Sequence, residues 1–197
     1  MMLDILLVML GAVIVLALLA LRRGLASFAA QRPADYAEAG PALDPRRHLD
    51  GPLICDGVVY GPTGRVVSRF TADMEARWDG NRGVLREHFR YDDGSSRDRE
   101  WRLTLLGDGR IEARAEDVVG AGQGWFRGPA LALRYRIRLP AASGGHVLGA
   151  VDWMYLTPDG TIVNRSQFRK FGVTVAELVA TMRPAPAPAA GRGAEAA

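Results

Sequence analysis

Residues 68–78 read SRFTADMEARW, and every second residue in them is apolar. Phe70, Ala72, Met74, Ala76 and Trp78 alternate with Arg69, Thr71, Asp73, Glu75 and Arg77. A period of two sends the first set to one face of an extended strand and the second to the other, so this run predicts a strand with one dry and one wet side. Residues 130–139 repeat the pattern, with Leu131, Leu133, Tyr135, Ile137 and Leu139 opposite Arg134, Arg136 and Arg138.

Turn signals such as Asp79-Gly80-Asn81, Asp93-Gly94, Asp108-Gly109 and Asp159-Gly160 punctuate the chain at short intervals. They divide it into eight predicted strands, near 53–60, 66–78, 84–91, 97–106, 110–117, 130–139, 146–156 and 161–169. Residues 120–128, rich in glycine, read as a loop with Trp125 and Phe126 at its tip. Eight strands in a meander predict an all-β fold, a closed antiparallel lipocalin-like barrel without exposed edges. A barrel of that strand number is filled by side chains or holds one small ligand. A short C-terminal helix is expected over 174–182, where Thr174 and Glu177 form a capping box and Val175, Leu178, Val179 and Met182 recur at helical spacing.

Residues 5–21, beginning at Ile5 and ending at Leu21, carry no charge and are followed by Arg22 and Arg23. As a helix they reach roughly 26 Å, near the lower limit for crossing a bilayer core. Residues 1–23 are therefore expected to be a transmembrane anchor, with the lipid bilayer as partner. A cleaved signal peptide is the rival reading, but Asp4 is the sole charge before the span, where a signal peptide needs basic residues. The Arg pair alone votes for a cytoplasmic C-terminal side. Residues 24–50 read as a linker, 51–183 as the barrel domain with its helix, and 184–197 as a disordered Ala/Pro-rich tail.

A net charge of +3 and the lack of basic stretches interleaved with aromatics give no support to nucleic-acid binding. Cys55 is the single cysteine, and His48, His88 and His146 lie far apart, so neither a disulfide nor a metal site nor a cofactor is expected. No Gly-x-Ser-x-Gly elbow occurs, and no catalytic residue is assigned.

Polar residues on dry faces are the candidate site. Glu87 shares a face with Leu85, Phe89 and Tyr91, and Arg99 shares one with Trp101 and Leu103. A three-residue turn would pair Phe89 with Arg99 and Glu87 with Trp101, making Glu87 and Arg99 diagonal neighbours. A carboxylate on such a face needs a partner, whether in a structural ion pair or on a ligand. In the hairpin of residues 151–169, Leu156 opposite Thr161 would turn Trp153, Tyr155, Asn164 and Phe168 inward and leave Asp152 and Arg165 as an outer pair. Asp117 follows Ile111, Ala113 and Ala115 on one face and is expected near a barrel rim.

YDDGSSRDREW (91–101), AEDVVGAGQG (115–124) and VDWMYLTPDGTIVNRSQFRKFG (151–172) resemble the bacterial domain-of-unknown-function family numbered 3833. The resemblance covers most of residues 50–182. Many of that family are lipoproteins, which implies an envelope location; here no Cys follows the apolar run, so the helix would replace the lipid as anchor. On that resemblance the soluble part is expected on the periplasmic side of the inner membrane.

The expected function is thus a membrane-anchored barrel binding an apolar, lipid or fatty-acyl ligand. Its wall would include Leu85, Phe89, Trp101, Leu133, Trp153 and Tyr155, with Glu87, Arg99 and Asn164 for a polar head and Asp117 as a further ligand-binding candidate. An envelope scaffold with a filled barrel is the alternative. A lipid-modifying enzyme would require Glu87 or Asp117 to meet a His.

Overall fold

The computed structural model describes residues 1–186. Ten strands, not eight, close into one antiparallel barrel: β1 (Gly51–Tyr60), β2 (Val66–Asp79), β3 (Arg82–Tyr91), β4 (Ser96–Gly107), β5 (Arg110–Arg114), β6 (Gly122–Arg127), β7 (Ala130–Arg138), β8 (Val147–Leu156), β9 (Ile162–Lys170) and β10 (Val173–Pro184). Each pairs with the next in sequence, and β10 returns to β1, from Leu53 opposite Pro184 to Tyr60 opposite Glu177. Each of the ten strands thus has a hydrogen-bonded neighbour on both sides, as barrel closure requires.

The two added strands have distinct causes. Residues 122–127 are strand β6, not a loop, and Phe126 packs on the core rather than standing at a tip. Gly122 and Gly124 hold the inward positions, where they give no apolar mark to a period of two. Gly124 lies where β5, β6 and β7 crowd: a Cβ there would sit 2.4 Å from the Ala132 carbonyl oxygen and 2.8 Å from the Ile111 side chain. Gly124→Ala is therefore expected to cost about 1–3 kcal/mol of stability, the usual cost of overpacking, seen as a lower urea midpoint. An unchanged midpoint would contradict this packing of β6.

The expected helix over 174–182 is strand β10. Residues 174–182 satisfy both periods, and Val173, Thr174, Val175, Val179 and Thr181 are β-branched residues that suit a pleated sheet. Leu178, Ala180 and Met182 face the core. Phe171 and Gly172, with φ of 50° and 79°, make the tight turn that joins β10 to β9.

Helix α1 (Met2–Leu25) has a span, Met2–Arg22, long and apolar enough to cross a membrane, and none of it is buried. The segment read as a linker lies against the barrel. Two 3-10 turns, Phe28–Ala30 and Pro33–Tyr36, cover the outside of β7 and β8, where Phe28 and Tyr36 pack with Ala130, Ala132, Trp153 and Tyr155. The Tyr36 and Tyr155 hydroxyls each donate to Gln31 Oε1 at 2.5 Å. The chain then continues to one end of the barrel, where Leu43 N–H donates to the Gly128 carbonyl at 2.8 Å. Helix α2 (Pro45–His48) follows, capped by Asp44. Leu43 and Leu49 enter the core there, and Trp78 Nε1 donates to the Leu49 carbonyl at 2.7 Å. The tail expected from residue 184 falls, from 187 onward, outside the described residues.

Candidate functional site

Register decides which polar groups enter the barrel. In β3 and β4, Glu87 stands directly opposite Arg99 and Leu85 opposite Trp101, two residues from the expected pairing. An even shift keeps the faces, so Glu87, Arg99 and Trp101 all point inward. In β8 and β9, Leu156 pairs with Ile162, one residue from the expected Thr161. An odd shift exchanges faces. Asp152 and Met154 therefore face the interior with Asn164, Ser166 and Phe168. Trp153 and Tyr155 lie outside, against the N-terminal segment, and Trp153 is buried to 1 % exposure there rather than in the barrel. Asp152 does not pair with Arg165, which instead donates to Glu177 at 2.9 Å.

The interior contains a cavity of about 120 Å³, with an apolar wall including Phe70, Phe89, Leu133, Phe168 and Leu178. Glu87, Arg99, Tyr135, Asp152, Asn164 and Ser166 interrupt that wall. Arg99 stacks over Trp101 with its guanidinium carbon 4.1 Å from the ring centroid, and Trp101 meets Tyr135 edge to face at 5.3 Å. Arg99 Nε donates to Asp117 Oδ1 at 3.1 Å, while Arg97 Nη2 donates to Asp117 Oδ2 at 2.7 Å. Asn164 Nδ2 donates to the Trp153 carbonyl, and Ser166 Oγ donates to Asn164 Oδ1, both at 3.2 Å.

Burial pushes the Glu87 carboxyl up to about 7, reinforced by Asp117 and Asp152 and opposed by Arg99 and a hydrogen bond from Trp101. Burial likewise pushes Asp152 up to about 6, against hydrogen bonds from Ser166 and Tyr135 and the charge of Arg99. Tyr135 is raised well above its ordinary value by burial and by Asp152. Cys55, on the same wall, is driven up to about 12, first by burial and then by Glu87, and so stays a thiol.

Glu87 Oε2, Asp152 Oδ1 and Arg99 Nη2 are buried without a hydrogen-bond partner. Arg99 Nη2 comes within 3.0 Å of Asp117 Oδ1 but is not aligned to donate to it. Buried polar atoms are almost always satisfied, and here three atoms without an aligned donor or acceptor sit on residues lining one cavity. A larger hollow of about 1390 Å³ along β2–β5 is crossed by exposed pairs, the Arg86–Glu100 ion pair and the His88–Asp98 hydrogen bond among them. Those groups already satisfy one another, and the hollow shares Met74, Glu87 and Arg99 with the interior cavity, with Asp117 beside Arg99.

Among the candidates, Glu87, Arg99, Trp101 and Asn164 come together on the cavity, with Asp117 at its Arg99 side. Trp153 and Tyr155 do not. Sequence reasoning missed Asp152, Tyr135, Ser166 and Arg97 as members. Tyr135 already carried a signal, a hydroxyl on an otherwise apolar face. His88 points outward to Asp98 and meets neither Glu87 nor Asp117. Among the described residues, no group of three His, Cys, Asp or Glu side chains is placed to hold a metal.

The chain belongs to the family described as Protein of unknown function (DUF3833), whose profile matches residues 23–184. Two solved structures share the barrel. Rv2717c from M. tuberculosis is 16 % identical with a TM-score of 0.54, over 76 % of this chain and 100 % of that one. The S-type phycobiliprotein lyase CPES from Guillardia theta is 6 % identical with a TM-score of 0.55, over 80 % of this chain and 99 % of that one. At such identities the likeness is one of fold. No curated protein matches the chain at a significant level.

Proposed function

We propose that this member of the DUF3833 family is a membrane-anchored, ligand-binding barrel of the bacterial envelope. Its ligand is an apolar, acyl-type molecule whose polar group meets Glu87, Arg99 and Asp152. The observation that carries this reading is the set of three orphaned polar atoms lining one apolar-walled cavity. Such a wall with a few convergent polar groups is the common design of a small-molecule site. Helix α1 supports anchoring by its length, its apolar composition and its lack of any buried span.

The size of the cavity limits the enclosed part of the ligand. About 120 Å³ is smaller than the roughly 300–1,000 Å³ of a drug-sized pocket. The barrel as it stands encloses a head group or a short length of chain, and a longer chain would have to move the side chains around it. That same small volume favours the second reading, a filled barrel that works as an envelope scaffold. Native mass spectrometry of the full chain, with extraction of whatever it carries, separates the two. The ligand reading expects one small amphiphile per chain, lost in Arg99→Gln while the far-UV circular dichroism is kept. A clean mass that also ignores added fatty acids and phospholipids would overturn it in favour of the scaffold.

A further inference from the structure

The barrel wall has one stretch held by side chains alone. Strand β5 pairs with β4 from Gly107 opposite Arg110 to Arg102 opposite Arg114 and then ends. Past that point the chain turns away and joins β7: Val118 bridges Ile137, Val119 N–H donates to the Arg136 carbonyl at 2.8 Å, and Arg138 N–H donates to the Asp117 carbonyl at 2.7 Å. Among the described residues, no ladder pair joins 96–101 to 115–121. What crosses the gap is Asp117, one carboxylate shared by Arg97 and Arg99. Its backbone is fixed by β7, while its side chain reaches over to β4.

We propose that the Asp117 carboxylate is an internal stand-in for the ligand's own anionic group, so that a carboxylate- or phosphate-ended single-chain amphiphile enters here by displacing it from Arg97 and Arg99. This rests on the ligand-binding reading above and names the class of head group. Two guanidiniums on alternate residues of one strand, both turned inward, form a fork-shaped receptor for an oxyanion. Asp117 fills it imperfectly, because Arg99 Nη2 is 3.0 Å away yet unaligned. Exchanging one carboxylate for another leaves the charge of the cluster unchanged. That matters where Glu87 and Asp152 line the same wall and an added anion without release of Asp117 would be repelled. Opening the wall at this gap breaks two side-chain ion pairs and no ladder bond, and it exposes Arg99, which lines the gap and the cavity alike, together with Glu87 and Met74.

The test is calorimetric titration of the full chain, held in amphipol, with n-octanoate and with neutral n-octanamide. Wild type is expected to bind both. Asp117→Asn removes the competitor, so octanoate should bind about tenfold tighter, the effect of losing one rival charge-assisted bond, with octanamide within about twofold of wild type. Arg97→Gln provides an independent reading should Asp117→Asn fail to fold, since the Arg97 side chain is 35 % exposed and Arg99 stays in place. It should weaken octanoate about tenfold and spare octanamide. If both probes respond alike in the variants that fold, or octanoate ignores both substitutions, the assignment is wrong. Binding of octanamide alone to wild type would sink the anionic head and leave the ligand-binding barrel standing. Binding of neither probe would sink both.

Discussion

Raising the pH from 5 to 8 is expected to lower the melting temperature of the chain by roughly 5–10 °C, and Glu87→Gln is expected to remove most of that drop. Glu87 and Asp152 hold their protons more tightly in the folded chain, near pH 7 and 6, than the ordinary carboxylate values of 4.5 and 3.8. Between those limits the folded state binds more protons than the unfolded one, so stability falls as pH rises. Below about 3 both groups are neutral in either state and the penalty vanishes; above about 8 it is complete. For two buried groups the total is on the order of a few kcal/mol. Surface carboxylates such as Asp92, Asp93 and Glu112 shift the other way, their values lowered by hydrogen bonds. They lose stability only as pH falls below the ordinary carboxylate range, outside this window. A melting temperature that climbs from pH 5 to 8, or a Glu87→Gln profile parallel to wild type, would contradict the buried cluster.

Trp153→Ala is expected to cost about 3–5 kcal/mol, the range for deleting a fully buried aromatic side chain. The damage should appear outside the barrel. Trp153 lies between β8 and the N-terminal segment, 5.4 Å from the Tyr36 ring and stacked on Tyr155 at 6.0 Å. Its removal takes away the floor on which residues 28–36 rest. Limited proteolysis should then cut within residues 26–42, sites protected in wild type, while octanoate affinity per folded molecule stays near the wild-type value. The opposite pattern, wild-type stability with lost ligand, would place Trp153 inside the barrel and contradict the β8–β9 register.

That register also shows how far the sequence alone reaches. Strands whose alternation is carried by side chains, β2 and β7 above all, were legible from period two, and closure followed from their number and short connections. Strand β6 was hidden because glycine marks its inward positions. Strand β10 was hidden because residues 174–182 fit a helical stripe and a strand equally well, and a capping-box pattern tipped the choice.

For the site, Glu87 and Arg99 were legible as charges on apolar faces, a signal that survives an even error in pairing. Strand β8 defeats that logic. Its Trp153–Tyr155 face is the more apolar, yet it is covered from outside by a segment with no period of its own. Its Asp152–Met154 face, the more polar, lines the cavity. Two buried faces leave no wet side to calibrate direction, and a one-residue slip then reverses every assignment.

The most direct test of a ligand inside this barrel uses the chain's six methionines. Met74, Met154 and Met182 line the cavity, whereas Met1, Met2 and Met9 stand exposed on the N-terminal segment and α1. With ¹³C-labelled methionine methyls in the full chain, titration with n-octanoate should move the signals of Met74, Met154 and Met182 in a saturable way and leave the N-terminal three in place. Shifts confined to Met1, Met2 and Met9, with the inner three silent, would mean that amphiphiles meet only the apolar helix and that the barrel does not bind them.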